Sequence, residues 1–140
     1  MADKIVTCPS CGTRNRVPAA AAGKPRCPKC KADVPWIADA TDYDFDQVAD
    51  SSKVAVLVDL WAAWCGPCRQ VSPLLEQLAI ERAGKLKLVK VDVDANPHTQ
   101  ARFGVQAIPT LLLFKDGKQV SSRQGALPMP ALRQWLDTDG

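Results

Sequence analysis

The stretch Val54-Ala55-Val56-Leu57-Val58-Asp59-Leu60-Trp61-Ala62-Ala63-Trp64-Cys65-Gly66-Pro67-Cys68 decides how this chain is read. Its first eight residues form a near-continuous apolar run, the pattern of a central strand buried on both faces. The residues after it read as a helix from about Cys65 to Ala83. Val71, Leu74, Leu75, Leu78 and Ala79 share one stripe, and Pro73 predicts a kink. A cysteine at a helix start meets unpaired backbone N–H groups and the positive end of the helix dipole. Both favour thiolate over thiol, so Cys65 is expected to be the reactive sulfur. Cys68 stands one turn on, within reach of a disulfide. The pair reads as a reversible dithiol/disulfide switch.

On either side the pattern alternates. Val34 to Ala38 suits a short edge strand, and Asp42 to Asp50 a helix. Leu86 to Val93 is a second strong strand, and Pro97 to Phe103 a helix with Asn96 as N-cap and Pro97 at its first position. Thr110 to Lys115 is another apolar strand. Asp116-Gly117 is a hairpin signal that returns Gln119 to Gln124 antiparallel, and Pro130 to Leu136 closes as a helix. Strand–helix alternation followed by a hairpin and a helix implies an α/β fold, a mixed central sheet with helices on both faces.

The N-terminal part follows different rules. Six cysteines in 140 residues fall into three Cys-x-x-Cys pairs. Cys8-Pro9-Ser10-Cys11 and Cys27-Pro28-Lys29-Cys30 are separated by fifteen residues, within the range of a four-cysteine zinc site. Pro after each first cysteine, and Gly12 after the first pair, suit compact turns that each present two sulfurs to one ion. The featureless loop Ala19 to Gly23 would bring the pairs together. About 35 residues with little apolar content need the metal's binding energy to fold. The expected units are therefore 1–35, a zinc-ribbon-like head, and 36–140. Iron in the same four thiolates is the alternative metal.

Charge supports that division. Residues 1–35 carry seven Lys/Arg against two Asp, and residues 36–140 eleven against thirteen Asp/Glu. A basic head suggests an acidic partner, but four thiolates on a divalent ion contribute −2 and leave about +3. No nucleic-acid role is read from it. No apolar run nears the roughly 20 residues that span a bilayer, and the first residues show no secretory signal, so a cytoplasmic location is expected.

Val58 to Cys68, with Ala107-Ile108-Pro109-Thr110 and Gly125-Ala126, resembles the thioredoxin family over roughly residues 36–140. With its four-cysteine head, the full-length layout resembles the zinc-containing branch of that family in bacteria. The resemblance implies a protein-disulfide reductase. Cys65 attacks a partner's disulfide and Cys68 resolves the mixed disulfide. Gly66 and Pro67 set the poise of that pair at the reducing end. Asp59, a charge in an apolar strand, is the buried acid that helps deprotonate Cys68, and burial should raise its pKa. Lys90 approaches that acid. Pro109 is expected in cis beside the disulfide. Trp64, Ile108, Pro109, Gly125 and Ala126, with Gly66 and Pro67, form an apolar surface on which an extended substrate strand pairs. Trp61 is expected to be at least partly core. The implied partners are disulfide-containing proteins and a flavin- and NADPH-dependent thioredoxin reductase, met by a monomer. The implied cofactors are one structural Zn²⁺ and the Cys65–Cys68 disulfide.

Other readings stay open. For Lys90, the exposed side of a strand is nearly as good an account. His98, the single histidine, would be the base of a Cys–His hydrolase, but the Cys-x-x-Cys context makes it a surface residue. The head could make the chain a redox-sensing zinc module in which turnover is secondary. A disulfide isomerase or oxidase would betray itself by a higher potential. Leu60 stands where the family often has an aromatic residue, and Ala107 where Gly is frequent. Neither removes a chemical group.

Overall fold

A computed structural model describes residues 3–21, 23–50 and 54–139. The outer limits of the two expected units, 1 and 140, and position 22 of the loop between the cysteine pairs lie outside it. A two-stranded antiparallel sheet, β1 (Lys4–Thr7) and β2 (Arg14–Val17), comes first. Then follow β3 (Trp36–Asp39), α1 (Phe45–Ala49), β4 (Ala55–Trp61), α2 (Gly66–Glu81) and β5 (Leu86–Asp92). The chain ends with α3 (Pro97–Arg102), β6 (Thr110–Lys115), β7 (Lys118–Gln124) and α4 (Met129–Asp139). The larger sheet runs β3-β5-β4-β6-β7. β3, β5 and β4 are parallel, while β6 and β7 are antiparallel to their neighbours. This is the mixed α/β sheet that the sequence implied.

The apolar run of β4 is continuous because the strand is central and covered twice. Val56, Val58 and Leu60 pack with α1 and Phe103 on one face. Leu57 packs with α2 and α4 on the other. Phe45, Phe103 and Phe114 meet at tilted to edge-on angles, with centroids 5.3–6.2 Å apart, and tie α1, the end of α3 and β6 together. Asp116 and Gly117 both have positive φ, 53° and 75°, as the tight β6–β7 hairpin requires. α2 runs unbroken through Pro73.

Two local readings need correction. The Asp42–Asp50 helix is shorter, because the Asp42 side chain is engaged elsewhere: it accepts from Thr99 N and Oγ1 at 2.7 Å and from His98 N at 3.2 Å. Asp42 thereby satisfies the first N–H groups of α3. Asn96 occupies the N-cap position without a capping bond. Its amide instead accepts from Asp42 N and donates to Asp92 O, both at 2.9 Å. A cap supplied across 57 residues replaces the local one.

The head packs against the larger sheet at the N-terminal ends of its parallel strands. Cys8, Val17, Cys27, Val34, Trp36 and Val54 form one buried cluster. Trp36 Nε1 donates to Pro18 O at 2.9 Å. Lys87 of β5 is fully buried. Its ammonium donates to Ala19 O at 2.6 Å and Val48 O at 2.5 Å and lies 4.1 Å from the Trp36 ring centroid. Ala19, in a stretch that reads as featureless, is buried in the main core. Cys65 follows β4 at its opposite, C-terminal end. Seven residues of strand, about 20 Å, separate the two cysteine centres along the sheet axis.

Candidate functional site

β4 ends at Trp61, and four residues later the chain turns into α2. Cys65 is the N-cap of that helix, with extended backbone (φ −88°, ψ 111°), and its sulfur accepts the Cys68 N–H at 3.1 Å. Pro67 sits in the first turn, where its missing N–H costs nothing. Cys65 and Cys68 are joined in a disulfide, with Cα atoms 5.3 Å apart. The hydrogen bond distinguishes the two sulfurs. That of Cys65 faces the orphan N–H groups of the helix start, which stabilise negative charge on it once the disulfide is opened.

Above the disulfide lies the β6 approach. The Ile108–Pro109 peptide is cis, and the Ile108 carbonyl oxygen is 3.8 Å from Cys65 Sγ. Gly125 N donates to Pro109 O at 2.9 Å, so β7 closes the same rim. Gly66, Pro67 and Ala126 are exposed, Ile108 and Gly125 half-buried, and Pro109 buried. Trp64 is 69% exposed, and its indole N–H donates to Asp94 at 2.9 Å. Asp94 carries no signature in the sequence. It holds an exposed aromatic ring in one orientation beside the disulfide.

Behind the disulfide, Trp61, Ala62, Ala63, Cys68, Arg69, Ser72 and Lys90 line a cleft of about 350 Å³. Trp61 is half-buried there, as expected. Asp59 and Lys90 are register partners on adjacent parallel strands, so both side chains leave the sheet toward α2. Asp59 is fully buried, and neither carboxyl oxygen has a hydrogen-bond partner. Burial pushes its pKa up to about 6, against the pull of the Lys90 charge and with a small push from Glu76. Lys90 is not a free surface lysine. Its Nζ donates to Ser72 Oγ at 2.6 Å and lies 3.7 Å from Glu76. His98 is exposed at the start of α3, where its backbone N–H meets Asp42.

The second cysteine centre is built differently. In each head turn the first cysteine's N–H bonds five residues ahead, Cys8 to Thr13 O and Cys27 to Ala32 O, both at 2.8 Å. Its carbonyl accepts from the fourth residue on, Gly12 N at 2.9 Å and Lys31 N at 2.8 Å. Those two residues have positive φ, 79° and 68°. Gly12 suits this; Lys31 does so without glycine's freedom. The four Sγ atoms lie within 4.8 Å of one another, with Cys8–Cys30 and Cys11–Cys27 each 3.6 Å apart. A tetrahedral thiolate site with metal–sulfur bonds of about 2.3 Å has sulfur–sulfur edges near 3.8 Å. The residues therefore fit a tetrahedral ion, and the group could hold a metal. Backbone N–H groups of Cys30 and Lys29 pull the Cys27 thiol down to about 6, while burial and the neighbouring sulfurs push Cys30 up to about 11, so four thiols crowded round one point do not ionise together by themselves.

A helix-capped dithiol at the end of a central strand, over a mixed five-stranded sheet, defines a thiol–disulfide oxidoreductase. The thioredoxin family model matches residues 36–138. Thioredoxin of Haemophilus influenzae is 49% identical over 96 residues, covering 69% of this chain and 90% of that protein. Thioredoxin of Bacillus subtilis is 48% identical over 101 residues, covering 72% and 95%. Thioredoxin 1 of Nostoc sp. is 46% identical over 100 residues, covering 71% and 94%. The chain belongs to the thioredoxin family, and disulfide reduction is its activity. Among the described residues, no helix is long and apolar enough to cross a membrane.

Proposed function

We propose that this chain reduces protein disulfides with Cys65 as nucleophile and Cys68 as resolving thiol, and that its head is a structural zinc site. One observation carries the assignment of roles: the Cys65 sulfur caps α2 and accepts the Cys68 N–H. Reduced, Cys65 attacks one sulfur of a partner's disulfide. A mixed disulfide forms and the partner's other sulfur leaves as a thiolate. Cys68 then loses its proton and attacks Cys65. The Cys65–Cys68 disulfide forms, and the partner departs reduced. Two electrons pass to the partner in each cycle and must be returned, by a flavin- and NADPH-dependent thioredoxin reductase.

Asp59 is the base for Cys68. A carboxyl with a pKa about 6 can take a thiol proton near neutral pH and return it. Gly66 and Pro67 shape the turn between the sulfurs. Trp64, Ile108, Pro109, Gly125 and Ala126 receive the substrate, and an extended segment pairs along the Ile108 rim.

Cys8, Cys11, Cys27 and Cys30 hold one Zn²⁺, which lends stability and leaves no open position for a reactant. The units are a head, 1–35, and a thioredoxin domain, 36–140; the family match beginning at residue 36 supports that division. A monomeric, cytoplasmic protein is the setting in which six cysteines can serve as two metal turns and one dithiol.

Trapping tests the roles. Cys68→Ser should accumulate mixed disulfides with an insulin substrate through Cys65, and Cys65→Ser should accumulate none. Equal trapping by both variants would refute the assignment.

A further inference from the structure

The sheet face beneath α2 carries a polar cluster that the thiol exchange alone does not explain. A buried carboxyl beside an ammonium is expected to close an ion pair, since each charge is costly alone. Asp59 and Lys90 sit side by side in register, yet neither Asp59 oxygen is bonded. The Lys90 ammonium is spent on α2 instead, on Ser72 Oγ at 2.6 Å and toward Glu76 at 3.7 Å. Cys68, Ser72 and Glu76 are spaced four residues apart, so they form one row along the helix. The first is the resolving cysteine, and the other two hold the lysine.

We propose that Ser72 is a positioning residue: with Glu76, its hydroxyl holds the Lys90 ammonium back from the buried carboxyl of Asp59. The inference deepens the proposed reaction, because it rests on Asp59 exchanging a proton with Cys68. A carboxyl closed onto an ammonium is stabilised as the anion and becomes a poor proton acceptor near neutral pH. Held apart from Lys90, Asp59 keeps the elevated value that burial gives it.

The groups around Asp59 are few. β5 presents Lys90 and α2 presents Glu76, the two charges that act on the carboxyl. β6 presents Leu111 as the register partner. Arg69 lines the same cleft, but its guanidinium donates to Ala63 O at 2.6 Å. Ser72 is uncharged, so its effect is purely one of where it keeps the ammonium. Glu76 acts in two ways, by holding Lys90 and by its own negative charge. The test must separate these.

The measurement is a carbon-13 NMR titration of the Asp59 carboxyl in the oxidised protein, where Cys65 and Cys68 do not titrate. Wild type, Ser72→Ala, Ser72→Thr, Glu76→Gln and the Ser72→Ala/Glu76→Gln pair are compared. In Ser72→Ala the ammonium closes on the carboxylate, and the Asp59 midpoint falls by about one pH unit. The pair falls below Glu76→Gln alone, and Ser72→Thr, which keeps the hydroxyl, stays near wild type. An unchanged or higher midpoint in Ser72→Ala overturns the proposal. The pH profile of turnover is read separately in the reduced enzyme. If the Asp59 midpoint moves and that profile does not, Ser72 holds Lys90 as proposed, and it is the role of Asp59 toward Cys68 that fails.

Discussion

Cys27-Pro28-Lys29-Cys30 and Cys65-Gly66-Pro67-Cys68 share a spacing and part company at what surrounds them. In the head, the chain reverses after the second cysteine through Lys31 at positive φ, and the sulfurs face those of the other pair. At the end of β4, the chain enters a sixteen-residue helix after Cys65, and the sulfurs face each other. Two cysteines three apart therefore do not choose between metal and redox chemistry. The backbone after them does: a reversal gathers four sulfurs round a point, and a helix start lowers the cost of one thiolate. The two centres also sit at opposite ends of the parallel strands, so neither touches the other's chemistry directly.

The sharpest way to break that comparison is to remove one sulfur from each centre. Cys65→Ser should abolish insulin reduction and leave the bound metal in place. Cys27→Ser should lose the metal and keep dithiol exchange close to wild type, since the head contributes no residue to the cleft or the rim. Metal analysis and an insulin assay on the same preparations check both. Loss of turnover in the head variant would mean that the centres are coupled.

Asp59 makes the stability of the fold depend on pH. Its pKa is raised in the fold, to about 6 against 3.8 in an ordinary carboxyl. The unfolded chain therefore ionises first as pH rises. Stability contributed by the protonated form is full below pH 4 and is lost between about pH 4 and 6. Asp59→Asn should then stabilise the protein at pH 8 by up to about 3 kcal/mol and do little at pH 4, while slowing turnover. Urea unfolding at the two values reads this. A variant equally shifted at both would mean that packing, not charge, is responsible.

Lys87 joins the two regions together with Trp36 and the apolar cluster beneath the head. Truncation to Lys87→Met leaves the carbonyls of Ala19 and Val48 without their donor, each a cost of about 1–3 kcal/mol, against which stands relief of a buried ammonium. A net loss of about 2 kcal/mol is expected. Hydrogen exchange should show faster protection loss in the head than in β4. The smallest effect is expected at Lys31. Lys31→Gly removes a strained left-handed residue and should raise head stability by at most about 1 kcal/mol, seen as slower metal release to a chelator.

Much of this architecture was legible because local pattern and global role agreed. The run Val54 to Trp61 reads as a doubly buried strand and is one from Ala55 on. Thr110 to Lys115 and the Asp116-Gly117 turn follow the hairpin rule residue by residue. What the sequence concealed were long-range polar partners. Lys87 sits in a strand pattern as an ordinary polar interruption, and its burial depends on carbonyls 39 and 68 residues away. Asp42 looks like a helix starter for α1 and instead caps α3. Ser72 and Asp94 have no motif at all; only the fold brings one to Lys90 and the other to Trp64. The β1–β2 hairpin has no sequence signature, because four-residue strands, half exposed, carry too short an alternation to read.

The six cysteines divide into four gathered in the head and two joined at the start of α2. Zinc content and free thiols, measured together in the reduced and the fully oxidised protein, test that division most directly. One zinc per chain is expected in both states, with two thiols, those of Cys65 and Cys68, that disappear together on oxidation. Zinc released in step with oxidation, or more than two thiols lost, would contradict it.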